Sequence, residues 1–399
     1  MLFEDFYHAF ERRIESKLTS ENWLWKLVIF SVFVSLFLAF PPYSLLLGHL
    51  SEHGMKLDAW VFVQNQSQDL FHPQGMELDV RRENMIFRWV LPLLSYLTGH
   101  NVVLIVLLQS VLGVLFIYKT GQWIYAISGD KVTTSLFVMA IANVFVCVWT
   151  FADIYGYGDG FAYFFLLIAL LSNNRFVVFL ALQIAFFTDE RAVIAGGYLL
   201  LFHMLVNAYK TEDFSFPALV KSVFSGKSLV IWIGWIVYFI VRFYVQKAYF
   251  PNHSYSTLGT PVLLADAHRH GLGSSLWTAF EGMWILLGAA ILALWLSKRF
   301  MLLLALTAGF LVLIASGVYV HDIDRAMSYG FPFFLMAIYV LFQVASLRSI
   351  RIILFFTAVV CVGHPMIYYM GYNRILWLEP FPVKVFMLLD YWMHWNLFS

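Results

Sequence analysis

Apolar runs separated by short polar connections occupy most of the chain. They cover roughly 27 to 47, 102 to 123, 132 to 150, 160 to 172, 176 to 187, 192 to 208, 228 to 246, 276 to 297, 300 to 320, 326 to 346 and 350 to 368, eleven in all. A membrane-spanning helix needs about 20 predominantly apolar residues. Several of these runs are nearer 13, which predicts tilted, broken or re-entrant segments buried among neighbours. The pattern therefore predicts an all-α, polytopic integral membrane protein of about 11 transmembrane helices with juxtamembrane helices on its outer face. Residues 1–26 read as a cytoplasmic amphipathic segment, 27–372 as the transmembrane domain and 373–399 as a C-terminal interfacial segment. The first run is too long for a signal-peptide core, lacks a small-residue cleavage site and holds Pro41 and Pro42 near its end, so it is expected to be retained.

Composition agrees with this reading. Of 399 residues 61% are hydrophobic and 12% charged, and the mean hydropathy is +0.76, a membrane protein's balance. Cys147 and Cys361 both fall inside apolar runs, which excludes a disulfide framework and a cysteine-based zinc site. A net charge of +1 with no basic block argues against a nucleic-acid partner. No internal repeat of solenoid or inverted-repeat type is present.

Charge placement gives an orientation. Arg12, Arg13, Lys17 and Lys26 precede the first run, so the N-terminus is expected in the cytoplasm. Alternating from there, every inner connection is basic, including Lys119, Lys131, Arg175, Lys210, Lys221, Lys227, Lys298, Arg299, Arg348 and Arg351. Most of the 24 acids and eight histidines (His49, His53, His72, His100, His253, His268, His270 and His321) fall outside. The outer connections 48–101 and 248–275 are long where the inner ones are short, and long loops beside short ones are usually functional. Ile86 to Thr98 is apolar but too short to span and contains Pro92, which predicts a helix lying in the outer interface.

The candidate chemistry lies on that outer side. Asp58, in an apolar setting after the first run, is the best of the loop acids Glu52, Asp58, Asp69, Glu77 and Asp79 for a general base; a solvated loop acid is the plainer reading. Arg88 stands at headgroup depth, suited to a bidentate fork on phosphate or to simple snorkelling. Thr188-Asp189-Glu190-Arg191 is squeezed between two apolar runs, where ionisable groups are costly; a structural ion pair between Glu190 and Arg191 or another helix is the alternative. Asp153 and Asp159 flank a glycine-rich turn, with Asp159 also placed to cap the next helix. Asp322 and Asp324 are likewise placed to cap a helix, while Arg325, with Arg242, is placed to stabilise a leaving phosphate without a metal. His49-Leu-Ser-Glu52-His53 matches a zinc pattern and Asp266-Ala-His268-Arg-His270 alternates ligand types, but neither has the surroundings of a metal site. No metal ligand set and no cofactor are assigned. Asn65-Gln-Ser67 and Asn252-His-Ser254 match the glycosylation acceptor.

This order of features resembles the GT-C superfamily of polytopic glycosyltransferases that use polyprenyl-phosphate sugars. Asp58 matches the acid in the first outer loop, Phe87 to Leu97 (FRWVLPLLSYL) looks like the family's Arg-x-x-x-Pro-Leu-Leu stretch, and Gly156 to Leu171 resembles its second outer turn and following span. Phe186 to Gly196 (FFTDERAVIAG) and Asp322 to Pro332 (DIDRAMSYGFP) look like its later turn and its Asp/Arg-to-Pro element. An Asp-x-Asp pair in the first loop is absent, so a divalent cation is not indicated. The resemblance implies transfer of a sugar from a polyprenyl-phosphate donor to a hydroxyl of a glycan, lipid or protein acceptor, with inversion. Asp58, Glu190 and Asp159 are then the catalytic candidates, and Arg88, Arg191, Arg242, Asp324 and Arg325 the substrate-binding ones. The expected setting is the inner membrane of a bacterium, with the site facing the periplasm or exterior. A transporter or flippase of an anionic lipid or small solute, which would also need buried charges, is the alternative.

Overall fold

The computed structural model describes residues 2–71, 85–249, 271–320, 322–364, 366–370 and 374–395. Among them the chain is helical, with one short antiparallel hairpin added to the all-α class. In chain order the helices are α1 Leu2–Lys17, α2 Trp23–Leu38, α3 Tyr43–Leu50, α4 Asp58–Gln68, α5 Val90–Leu97, α6 Val102–Ser128, α7 Lys131–Ala142, α8 Phe145–Ala152, α9 Asp159–Leu171 and α10 Arg175–Phe186. They continue as α11 Arg191–Thr211, α12 Phe216–Val223, α13 Lys227–Tyr249, α14 Leu272–Phe280, α15 Met283–Leu296, α16 Phe300–Val318, α17 Ile323–Ser328, α18 Pro332–Val344, α19 Leu347–Gly363 and α20 Phe381–Met393. Strands β1 Ile367–Met370 and β2 Arg374–Trp377 pair with Tyr368 opposite Leu376.

Every apolar run forms helix, but the runs are not eleven simple rods. Among the described residues four helices, α6, α11, α13 and α16, are long and apolar enough to cross a membrane, and the number rises to seven if each bent pair is one span. The pairs are α2 with α3 (79°), α7 with α8 (53°) and α14 with α15 (85°). These features belong to a polytopic membrane protein, and the count of eleven spans is not established by length and composition. The break between α2 and α3 falls at Pro41 and Pro42, which remove donors and block continuation. The other two fall at single polar residues set in apolar sequence, Asn143 between α7 and α8 and Glu281 between α14 and α15.

Three of the shorter helices, α8, α9 and α18, are largely buried. All eight residues of α8 are buried, and α9 (13 residues), α10 (12 residues) and α18 (13 residues) are apolar and short. At 1.5 Å per residue they reach only about 20 Å. Helices α13 and α16 instead sit at the edge and expose apolar rows, among them Ile233, Ile236, Phe239, Ile240 and Phe243 on α13, as a lipid-facing surface requires.

Two charge clusters mark the ends of the bundle. At one end Arg351 on α19 donates to Asp130 at 3.0 and 2.6 Å and to Glu11 on α1 at 3.0 Å, while Asp130 caps α7 through the Thr133 amide at 2.8 Å. The amphipathic α1 is thereby pinned to the bundle. The other end holds the larger cluster.

Candidate functional site

Four turns converge at that end, and each is built by local chemistry. The turn between α8 and α9 closes when the Asp153 carboxylate accepts from the Gly158 amide at 2.8 Å and from Tyr157 at 3.4 Å. Gly156 and Gly158 have φ of +95° and +78°, and a Cβ would lie 2.8 Å from the Trp60 ring at the first and 2.0 Å from Leu91 Cδ1 at the second. Glycine meets both the backbone and the space requirement. Trp60 Nε1 donates to the Ile154 carbonyl at 2.7 Å, and Gln109 Nε2 donates to the carbonyls of Thr150 and Asp153, each at 3.1 Å. Helices α4, α5 and α6 thus hold one tight turn.

The turn between α10 and α11 is fixed by Thr188, whose hydroxyl donates back to the Ile184 carbonyl at 2.7 Å, and by Asp189 Oδ1, which accepts from the Arg191 amide at 2.9 Å. The segment before α5 is laced to it. The Val90 amide donates to the Phe187 carbonyl at 3.2 Å, and Trp89 stacks on Phe187 with centroids 4.7 Å apart. Arg88 is thereby delivered to the turn.

The charged side chains then alternate in a ladder. Arg88 grips Glu190 with a fork, Nε to Oε2 at 2.8 Å and Nη2 to Oε1 at 2.6 Å, and its Nη1 lies 3.0 Å from Asp189 Oδ2. Arg191 Nη1 is 3.6 Å from the same oxygen, and its Nη2 donates to Asp322 Oδ2 at 3.0 Å. Arg325 Nη1 also donates to Asp322 Oδ2, and its Nε donates to Asp159 Oδ2 at 2.6 Å. Asp159 takes two further donors, Trp149 Nε1 and the Tyr329 hydroxyl, both at 2.8 Å. The Tyr157 ring lies under Arg325 at 3.9 Å.

Three guanidiniums face four carboxylates, so the ladder is close to neutral and each charge has a partner, as burial demands. Its interior is closed: the side chains of Asp159 and Asp189 are 0% exposed and that of Arg325 4%. Its accessible members are Glu190 at 34% and Asp322 at 23%. Two guanidinium nitrogens inside it, Arg191 Nη1 and Arg325 Nη2, make no hydrogen bond among the described residues. Burial pushes the Asp322 carboxyl up, but Arg191 and Arg325 hold it well below the usual carboxylate range.

The sequence candidates divide accordingly. Arg88, Glu190, Arg191, Arg325 and Asp159 are brought together. Of the alternative ion pairs read for this turn, the one between Glu190 and Arg191 does not form; Glu190 pairs with Arg88 from another segment, and Arg191 with Asp189 and Asp322. Asp159 does not cap α9; Gly158 occupies that position with no side-chain cap. Nor does the Asp322 side chain cap α17. Asp324 points away from the ladder and accepts from Thr278 Oγ1 at 2.8 Å. Arg242 on α13 stands beside the site, with its guanidinium 4.3 Å over the Phe87 ring and Nη1 donating to the Tyr238 hydroxyl at 2.8 Å. Asp58 is the first residue of α4 and is exposed. Among the described residues it makes no ion pair with the ladder, although Trp60, two residues on, anchors the same turn as Asp153.

Trp149 and Tyr329 carry no sequence signal as ladder members, because an aromatic inside an apolar run gives no sign that its polar edge meets a carboxylate, and Tyr157, in the glycine-rich turn, gives none that its ring meets Arg325. Glu281 was also passed over. It is fully buried at the 85° break between α14 and α15 with φ of +48°, and its Oε1 lies 3.5 Å from His364 Nδ1. The zinc-like pattern at 49–53 is not assembled: His49 is buried and its Nδ1 accepts from the Leu57 amide at 3.1 Å, while Glu52 and His53 are exposed. Among the described residues no group of three or more His, Cys, Asp or Glu is gathered for a metal. Glu77, Asp79, His72, His253, His268, His270, His321 and the Asn252 acceptor pattern lie outside the described residues.

A scan of protein-family models and searches of curated proteins and of solved structures find no match to this chain.

Proposed function

We propose that this protein is a membrane glycosyltransferase that moves a sugar from a polyprenyl-phosphate donor to an acceptor hydroxyl at the ladder end of the bundle. The observation that carries this reading is the pairing of two guanidinium nitrogens lacking hydrogen bonds, on Arg191 and Arg325, with two accessible carboxylates, Glu190 and Asp322, that an anion can replace. A phosphate arriving there exchanges one carboxylate for its own oxygens on a planar fork, which is a near-even trade in charge. Arg242 adds a further cation beside Phe87.

Every ladder carboxylate is engaged by arginine, which leaves none suited to take a proton. Asp58, exposed and without such a partner among the described residues, is assigned as the base. The acceptor oxygen attacks the anomeric carbon as its proton passes to Asp58. The bond from that carbon to the phosphate oxygen breaks, and the lipid phosphate leaves with the electron pair. Attack opposite the phosphate inverts the anomeric centre. Asp159 acts one step back as a positioning residue, holding Arg325.

The same reading places the short apolar helices α9, α10 and α18 in the count of eleven crossings, with α1 cytoplasmic and the ladder outside the inner membrane of a bacterium. The test is transfer of labelled sugar from a polyprenyl-phosphate donor in membranes carrying the wild type, Asp58→Asn or Arg325→Lys. Product formed by the wild type and lost in both variants supports the assignment. Full activity in Asp58→Asn defeats the base, and label that crosses vesicles without product moves the protein to transport.

A further inference from the structure

The end of the bundle opposite the ladder holds, besides the Arg351 cluster, a further and differently built group of charges. His203 and Lys210 are seven residues apart on α11 and so share one face. The charges that act on His203 are those of Lys227, which opens α13, and Lys210. His203 Nε2 is buried and has no hydrogen-bond partner. Around the same helix end, Tyr209 Oη and Arg299 Nε are buried and also lack partners, with the Arg299 guanidinium stacked 3.6 Å over Phe214. All three atoms can donate a hydrogen bond, and none meets an acceptor. The acids in this region, Glu212 and Asp213, are exposed, and Asp213 Oδ1 accepts from the Ser215 amide at 2.9 Å.

Between α11 and α13 lies α12, which buries Leu219 yet exposes Phe216, Val220 and Phe224 beside Lys221. A short helix with large exposed apolar side chains next to lysines fits the boundary between headgroups and acyl chains. The exposed apolar row of α13 begins beside it. Donors without acceptors, lysines and an interfacial helix together specify an anion that is part of a lipid.

We propose that the end of α11 remote from the ladder is a binding site for the phosphodiester headgroup of an anionic phospholipid. Lys210 and Lys227 neutralise the phosphate, His203 donates to one of its oxygens, and α12 lies among the neighbouring headgroups. This site is separate from the transferase site and does not depend on it.

The test uses the full-length protein in nanodiscs of phosphatidylcholine with and without phosphatidylglycerol, followed by native mass spectrometry of retained lipid and by thermal unfolding. The expected result is selective retention of phosphatidylglycerol and a raised Tm. Retention should fall roughly fivefold for each lysine removed in Lys210→Gln and Lys227→Gln, and should also fall in His203→Ala. The control Lys26→Gln/Lys119→Gln should keep it. If the glutamine variants do not purify, the pair Lys210→Arg/Lys227→Arg should retain the lipid while His203→Ala alone loses it. Equal retention by wild type and His203→Ala, or an equal loss in the control, overturns the site. Inorganic phosphate that reproduces the Tm rise without lipid overturns the lipid as ligand.

Discussion

Replacing Asp159 by Asn removes one charge from the closed end of the ladder while keeping the side chain's shape. The wild-type carboxylate is fully buried and accepts from Arg325 at 2.6 Å, Trp149 at 2.8 Å and Tyr329 at 2.8 Å. An amide offers one oxygen to three donors and turns its own N–H groups toward at least one of them. Removing one partner of a buried ion pair costs about 3–5 kcal/mol, and the retained oxygen places Asp159→Asn near 3 kcal/mol. At about 2 °C per kcal/mol for a large chain, the unfolding midpoint in detergent should drop by roughly 6 °C. Arg325→Met in the same chain removes the stranded cation, so the double variant should lie well above the sum of the two single losses. A drop below about 1 °C for Asp159→Asn, or strictly additive losses in the double variant, would refute the ladder as an energetically coupled unit.

Asp58→Asn should leave the unfolding midpoint unchanged, since the residue is exposed, and should lower sugar transfer by about 10²- to 10⁴-fold; an unstable variant or an unaltered rate contradicts its role. Gly158→Ala forces a side chain onto φ of +78° with Cβ 2.0 Å from Leu91 Cδ1, and should cost about 2–4 kcal/mol, read as a lowered midpoint; a neutral effect would mean that the turn relaxes. Burial pushes the Glu190 carboxyl up, but Arg88 pulls it down to about 2, so its contribution to stability is present above the unfolded range near 4 and is lost as pH falls through about 2. Wild-type stability should therefore fall more steeply between about pH 4 and 2 than that of Glu190→Gln, and parallel curves would show that the pair contributes nothing. Arg351→Gln should release α1, seen as faster tryptic cleavage at Arg12, Arg13 and Lys17.

Hydrophobic periodicity located the helices because the membrane imposes one rule on every segment: satisfy the backbone internally and face lipid with apolar atoms. It did not locate the bends at Asn143 and Glu281, because both breaks are flanked by apolar residues and a hydropathy profile responds to polarity rather than direction. The turn at 188–191 was legible because charge between two apolar runs is conspicuous. Its pairing was not. Arg88 and Glu190 are 102 residues apart, and their meeting follows from the Val90–Phe187 backbone bond and the Trp89–Phe187 stack, which no local pattern encodes. Asp159 was found through its glycine turn, but its role as an anchor for Arg325 depends on Trp149 and Tyr329, whose polar edges are invisible inside apolar sequence.

The charges at the ladder end thus fall into two kinds with different physical requirements. Asp159, Asp189 and Arg325 sit in a closed, low-dielectric interior, where any change of protonation strands a partner; such groups hold geometry and are poor choices for moving protons. Glu190 and Asp322 lie at its accessible edge, where water can replace a lost partner and an incoming anion can exchange with a carboxylate at modest cost. The proposed proton transfer needs a third kind of group, exposed and tied to no cation, and Asp58 is exposed and makes no ion pair among the described residues. Its helix is anchored through Trp60 to the Ile154 carbonyl at 2.7 Å, within the turn that leads directly into Asp159. A displacement of α4 therefore pulls on the segment that positions Arg325, so the proposed base and the proposed leaving-group cation are mechanically linked through one tryptophan. Trp60→Phe, which deletes that hydrogen bond but keeps the ring, should lower transfer without the loss of stability that follows from opening the ladder.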